Sequence, residues 1–268
     1  MIRSVQAVKP TNMPALLGKP KPYVMAHCGN WVACPENTLA AFRLALADGA
    51  DILETDLHLT ADDVFVWIHD ATVARTTDGS GAVAMMTLAE LKTLSASYER
   101  PEFQDERIPT LAELAAILPA DIALALELKT DRFLEADICR RLVAELDRAG
   151  VRDRSFTLSF SLPRVQAVHQ VAPDIMMGWI TLSRWWPLRG VQMLGPAWPL
   201  LLRNPLYVGI AHLRRQFVCT LDPTLDPRLW LYRLLRCDAV LTDDPAATCR
   251  ALRRYGRTDD HNPAEQPR

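Results

Sequence analysis

A chain of 268 residues, 49% of them hydrophobic, is long enough for one large α/β domain or two small ones and carries ample apolar side chain for a core. Its formal net charge of −2 provides no general attraction for a polyanion, which argues against a nucleic-acid partner. The six cysteines (Cys28, Cys34, Cys139, Cys219, Cys237 and Cys249) are scattered with no CxxC pair, the usage of reduced thiols in a cytoplasmic protein rather than of a disulfide framework.

The opening stretch, MIRSVQAVKPTNMPALLGKPKP, has no continuous apolar run and is broken by four prolines. It is expected to form an extended arm over residues 1–22, neither signal peptide nor membrane span. The first apolar run, Val24–Ala26, leads into His27. A helix-like segment follows over Glu36–Ala47, which Pro35, Asn37 or Thr38 can start and Gly49 stops. The second run, Ile52–Leu57, carries Glu54 and Asp56, and the third, Val64–Ile68, leads into His69 and Asp70. Thr87–Leu94 and Thr110–Leu118 each open with Thr-x-x-Glu, a capping box that predicts two short helices framing a polar loop over 95–109.

A fourth strand is expected over Ile122–Lys129, with Glu127 and Lys129 on one face, and an amphipathic helix over Leu134–Ala149 stopped by Gly150. Further strands are read at Ser155–Phe160, Ile175–Ile180, Phe217–Leu221 and Ala239–Thr242, with helices at Pro163–Val171, Pro205–Arg215, Arg228–Arg236 and Ala246–Arg254. Runs such as IALALEL are apolar on both faces, as parallel strands covered on both sides require. Eight strand–helix units without a dividing linker predict a single-domain TIM (β/α)8 barrel over 23–255, followed by a polar tail over 256–268. In that fold the strand C-termini hold the active site.

Glu54 and Asp56 are two residues apart in a strand, so both carboxylates point to one side of the sheet and repel unless a cation lies between them. Oxygen ligands suit a hard ion, one Mg²⁺ or Ca²⁺. His27 and His69 at the ends of flanking runs can give and take protons near neutral pH. Together these groups could cleave a phosphate ester. The plainer alternative is that the carboxylates are salt-bridged to Lys129 or Arg75 in an ordinary barrel mouth and that each histidine only makes structural hydrogen bonds. Charged residues inside an apolar strand are costly to bury without a role or a partner.

Several motifs occur in one order: HCG at His27–Gly29, PENT at Pro35–Thr38, ETD at Glu54–Asp56 with LTADD after it, HD at His69–Asp70 and RTTDGSG from Arg75. ERIPTLAEL, ELK at Glu127–Lys129, SF at Ser159–Phe160 and TDDP at Thr242–Pro245 complete the series. In that order and spacing the chain, from about Tyr23 to about Arg254, resembles the glycerophosphodiester phosphodiesterase family. The resemblance implies metal-dependent hydrolysis of a glycerophosphodiester to an alcohol and sn-glycerol 3-phosphate. It also implies Glu54, Asp56 and Glu127 as metal ligands and His27 and His69 as the acid–base pair, with their order left open. Lys129 would neutralise a phosphate oxygen, though a salt bridge to Glu127 is compatible with that. Asn37 and Glu36 would bind substrate by hydrogen bonds, or Asn37 would be a helix cap only. Asp70 would orient a neighbour and Arg75 tether its loop.

Two departures from the family pattern stand out. Cys28 occupies the arginine position of the usual HRG and cannot grip a phosphate bidentately, and Cys219 replaces an expected aromatic in the pocket wall. The span Ile175–Leu221 contains no Asp or Glu but is rich in Trp and Arg. Its SRWWPLRG and PAWPLLL segments are expected to form a lipid-facing lip at the barrel mouth, with Arg184, Trp185, Trp186 and Arg189 facing a membrane surface through 181–203. An ordinary barrel loop is the alternative. A lysophospholipid would then join the candidate substrates, on a cytoplasmic protein with peripheral membrane contact. A barrel that binds phosphodiesters or lipid headgroups without turnover is the contrasting class, motivated by the lost arginine.

Overall fold

The computed structural model describes Leu16, residues 18–222 and residues 226–254. The expected tail over 256–268 lies outside the described residues, as does the expected arm apart from Leu16 and residues 18–22. The chain runs β1 (Tyr23–His27), α1 (Leu39–Ala47), β2 (Ile52–Leu59), β3 (Phe65–Trp67), α2 (Leu88–Leu91), α3 (Leu111–Ile117), β4 (Ala123–Leu128) and α4 (Ala136–Arg148). It continues with β5 (Ser155–Ser159), α5 (Leu162–Val171), β6 (Met176–Thr181), β7 (Met193–Pro196), α6 (Trp198–Arg203) and α7 (Tyr207–Leu213). β8 (Phe217–Thr220), α8 (Leu229–Leu234), β9 (Ala239–Thr242) and α9 (Pro245–Arg254) complete it.

β1 pairs in parallel with β2 on one side and β9 on the other, and the parallel order continues β2–β4–β5–β6–β7–β8–β9. The result is a closed eight-stranded TIM barrel. Alternation along each strand sends one set of side chains inward and the other toward the helices. Met25, Ile52, Ala123, Phe156, Leu158 and Met193 pack inside the barrel, while Val24, Leu53, Leu124, Leu126 and Val218 pack outward in the layer that the helices cover. This accounts for strands that read as continuously apolar.

Two assignments change. The expected third barrel strand at Val64–Ile68 is β3, three residues that pair antiparallel with β2 outside the barrel wall. It belongs to an insertion with its own small core of Val66, Ile68, Val73, Val83, Leu91 and Ile108. The missing barrel strand is β7, which lies within the expected lip over 181–203. The expected total of eight was right through these two compensating errors. MLGP offers four residues, no β-branched side chain, a glycine and a proline, so it carries little strand signal of its own.

The helix starts follow local chemistry. Thr38 caps α1 by accepting from the Ala41 N–H at 3.2 Å, and Thr87 and Thr110 form complete capping boxes with Glu90 and Glu113. The turn between β1 and α1 is tight. Gly29 sits at φ +87, and a Cβ there would lie 2.7 Å from the backbone carbon of Ala41. Gly29→Ala therefore combines a disfavoured backbone conformation with a forced shift of α1, a cost on the order of 2–4 kcal/mol. For a chain of this size that lowers Tm by roughly 5–15 °C. Thermal unfolding followed by circular dichroism checks it, and an unchanged Tm would contradict the close approach.

Candidate active site

The strand register assembles the site. His27 of β1 stands beside Glu54 of β2, and Asp56 of β2 stands beside Glu127 of β4. All three carboxylates are buried, and one oxygen from each lies within 4.8 Å of the others. Lys129, just beyond β4, places Nζ 3.0 Å from Asp56 Oδ1 and 2.9 Å from Glu127 Oε2. Asp56 Oδ1 accepts no hydrogen bond in good geometry, so the ammonium faces it as an ion pair only. Asp56 Oδ2 accepts from Asn37 Nδ2 at 2.8 Å and from the Cys28 thiol at 3.0 Å. Asn37 adopts a left-handed φ of +54, and its backbone N–H donates to the Cys28 carbonyl. The helix cap is Thr38, which leaves the Asn37 side chain to Asp56.

The charges are set by burial and by one another. Burial, then repulsion from Asp56, pushes Glu54 up to about 8. Burial also raises Glu127, with Lys129 opposing and Asp56 adding to the rise. Burial works against Asp56 too, but Lys129, His69 and His27 outweigh it and hold that carboxyl well below its usual range. His27 loses stability as a cation by burial, yet its hydrogen bond to Asp243 and the nearby Glu54 and Asp56 raise it to about 9. Lys129 and His27 are thus not enough to let all three carboxyls ionise, and Glu54 relieves the repulsion by keeping its proton. A triad of convergent buried oxygens that resists full ionisation without a further positive charge fits one hard divalent cation.

Each histidine is oriented by an aspartate. His27 Nδ1 lies 2.8 Å from Asp243 Oδ1 in the turn after β9, and His69 Nδ1 lies 2.8 Å from Asp70 Oδ1. Arg75 binds Asp70 through Nε at 2.7 Å and grips both oxygens of Glu36 at 2.6 and 2.8 Å. Glu36 thus has both oxygens engaged by Arg75, which ties the insertion to the β1–α1 turn. Asp243 lies in the TDDP motif, from which no role for it is expected. The signal was available, since a carboxylate immediately beyond a strand C-terminus faces the mouth of a barrel.

His27, Glu54, His69, Glu127 and Lys129 line one side of a cavity of about 230 Å³. The opposite side is apolar, with Leu158, Phe160, Ile180, Met193, Leu221 and Leu241, and Cys219 lies among them. Phe160 is exposed, as are Leu182, Trp185, Trp186, Leu202 and Leu206 in and after the β6–β7 connection. Arg184 and Arg189 are exposed in the β6–β7 connection, and Arg203 stacks 5.6 Å over Trp185. The expected lip is corrected in its second half: PAWPLLL is the end of β7 and α6, whose Leu200 and Leu201 are buried and whose Trp198 is stacked by Arg228 at 4.1 Å. Among the described residues no helix is long and apolar enough to cross a membrane.

A parallel barrel whose strand ends carry convergent carboxylates, a lysine and two His–Asp pairs around one cavity defines a TIM-barrel hydrolase. The sequence profile of the glycerophosphoryl diester phosphodiesterase family matches residues 27–194. Over 251 residues the chain is 32% identical to a glycerophosphodiester phosphodiesterase of Caldanaerobacter subterraneus, which covers 88% of this chain and 100% of that one. Among solved structures, a phosphodiesterase of Oleispira antarctica in complex with the product sn-glycerol-3-phosphate aligns with TM-score 0.78 and 27% identity, over 87% of this chain and 97% of that one. A glycerophosphodiester phosphodiesterase of Agrobacterium tumefaciens aligns with TM-score 0.73 and 25% identity, over 84% and 97%. The chain belongs to the glycerophosphoryl diester phosphodiesterase family and is a phosphoric diester hydrolase.

If Asp243 serves to orient His27, Asp243→Asn keeps the size and loses the charge that holds the ring. The expected result is a kcat lower by on the order of 100-fold with KM changed far less. Steady-state kinetics checks this, and a loss confined to KM would remove the positioning role.

Proposed function

We propose that this chain hydrolyses glycerophosphodiesters to an alcohol and sn-glycerol 3-phosphate, with Glu54, Asp56 and Glu127 holding one Mg²⁺ or Ca²⁺ and His27 and His69 moving the protons. The observation that carries this is the register that places Glu54 beside His27 and Asp56 beside Glu127, with Lys129 alongside. The bound cation would polarise the phosphoryl group as a Lewis acid. Lys129 offsets charge on a non-bridging phosphoryl oxygen, and Asn37 fixes Asp56 in its ligating orientation. His27, kept as an imidazolium by Asp243 and the carboxylates, gives its proton to the leaving alkoxide. His69, steadied by Asp70 and Arg75, takes the proton of the attacking oxygen. Glu36 serves through Arg75 rather than by touching substrate.

The test is release of glycerol 3-phosphate from glycerophosphocholine by metal-stripped protein to which Mg²⁺ or Ca²⁺ is restored. Turnover is expected only with the ion, and His27→Ala and His69→Ala are each expected to lose about 10²–10⁴-fold. A p-nitrophenyl diester, whose leaving group needs no proton, should restore rate to His27→Ala but not to His69→Ala. Equal rescue of both would reverse or dissolve the assignment, and metal-independent turnover would remove the cation from the reaction.

A second reading concerns the alcohol. The apolar wall of the cavity includes the exposed Phe160, and the β6–β7 connection that follows Ile180 exposes Leu182, Trp185 and Trp186, which favours a hydrocarbon-tailed diester such as a lysophospholipid. Arg184, Arg189 and Arg203 would rest at an anionic membrane surface through 181–203. Ile180→Asn is then expected to lower kcat/KM for a lysophospholipid by about ten-fold or more while leaving glycerophosphocholine within about threefold. Equal losses on both substrates, or no flotation with anionic liposomes at low salt, would restrict the substrates to water-soluble diesters.

A further inference from the structure

Two overlapping sets of metal-ligating atoms meet at the mouth of β1 and β2. One is the all-carboxylate set already described. The other is His27, Cys28 and Glu54, whose ligand atoms also lie within 4.8 Å of one another. The second set offers a nitrogen, a sulfur and one oxygen. That difference in donors separates the ions they select: carboxylate oxygens suit Mg²⁺ or Ca²⁺, whereas thiolate with imidazole suits Zn²⁺.

We propose that His27, Cys28 and Glu54 form a second cation position, selective for a thiophilic divalent ion of the zinc class, whose occupation shuts off hydrolysis. The backbone delivers the sulfur. Cys28 sits at a left-handed φ of +52, with its N–H donating to Glu54 Oε2 at 3.3 Å, and this turns its side chain into the carboxylate cluster, where Sγ lies 3.0 Å from Asp56 Oδ2. His27 is prepared in the manner of zinc-bound histidines: its Nδ1 is held by the Asp243 carboxylate, so Nε2 is the ring nitrogen left for an ion. In a tetrahedral zinc site, bonds of about 2.0–2.3 Å place ligand atoms roughly 3.5 Å apart. Contraction from separations of at most 4.8 Å is within the reach of side-chain rotation. Among the described residues no other cysteine belongs to such a set.

On binding, the Cys28 S–H, the His27 Nε2–H and any O–H that Glu54 holds break, the protons pass to solvent, and sulfur–, nitrogen– and oxygen–metal bonds form with no change of oxidation state. Inhibition follows from the shared groups. Glu54 belongs to both sets, and under the hydrolytic reading above His27 is a proton-transfer group, so the ion withdraws a ligand and an acid together. The binding part of the proposal does not rest on that reading, whereas the inhibitory part does.

The decisive experiment titrates the metal-stripped full chain with Co²⁺ as a spectroscopic substitute for zinc. The expected result is a near-ultraviolet thiolate-to-cobalt charge-transfer band, one cobalt per chain, displaced by Zn²⁺ and lost in Cys28→Ser. The wild-type spectrum decides first: no charge-transfer band overturns the site whatever the variant does. A band that survives in Cys28→Ser places the cobalt on another cysteine and overturns it equally. For inhibition, glycerophosphocholine turnover is measured at saturating Mg²⁺ or Ca²⁺ with added Zn²⁺, each protein relative to its own zinc-free rate. Half-inhibition in Cys28→Ser should need about 10- to 100-fold more Zn²⁺ than in the wild type. Equal sensitivity overturns the inhibitory role. A chain that binds cobalt through Cys28 but turns over no diester would sustain the site and count against the hydrolytic reading alone.

Discussion

The mutual repulsion of three buried carboxylates governs the mouth of this barrel. Glu54, Asp56 and Glu127 are each withdrawn from water on adjacent strands, where two like charges a few ångströms apart interact far more strongly than at a surface. Such an arrangement persists only if the surroundings answer it. Lys129 answers at Asp56 and Glu127, Asn37 and Cys28 donate to Asp56, and Glu54 keeps a proton up to about 8. The inside of the barrel below is hydrocarbon, with Met25, Ile52, Ala123 and Phe156, so the polar groups are confined to the C-terminal ends of the strands. A carboxylate cluster one layer deeper would have no partner at all.

Around that layer the chain invests in orientation more than in additional charge. The His27–Asp243 pair joins the first barrel strand to the turn after the last, and the His69–Asp70–Arg75–Glu36 chain fastens the insertion to the β1–α1 turn. Both histidines carry a fixed Nδ1 partner and so direct Nε2 elsewhere. Cys28 occupies the family's arginine position without reproducing its reach. It turns inward to Asp56, which leaves Lys129 as the cation nearest the carboxylates.

Much of this was legible in the residues because each feature had a short-range cause. The Thr-x-x-Glu pairs define helix starts by local hydrogen bonding, and Glu54 and Asp56 share a face because strand side chains alternate. Lys129 was legible in the same way from its spacing to Glu127. The features that escaped depend on distant parts of the chain. β3 has the apolar composition of a barrel strand, and only its antiparallel pairing with β2 shows otherwise. β7 has almost no intrinsic strand preference and exists because β6 and β8 pair with it on either side. Asp243 acquires its role from His27, 216 residues away. Trp198, expected in an exposed lip, is covered by Arg228 from a later part of the chain, which stacks on its ring.

That separation of 216 residues has a consequence for how the chain comes into being. Synthesis proceeds from the N-terminus, so His27, Glu54, Asp56 and Glu127 all emerge long before the turn that holds Asp243. The wall stays open until β9 slots between β8 and β1, and Asp243 reaches His27 only through that last closure. A nascent or prematurely terminated chain can possess all three carboxylates and both imidazoles and still lack the oriented one. Under the proposed mechanism, chemical competence is thereby tied to completion of the ring, and a fragment that stops short of β9 lacks the Asp243 partner of His27.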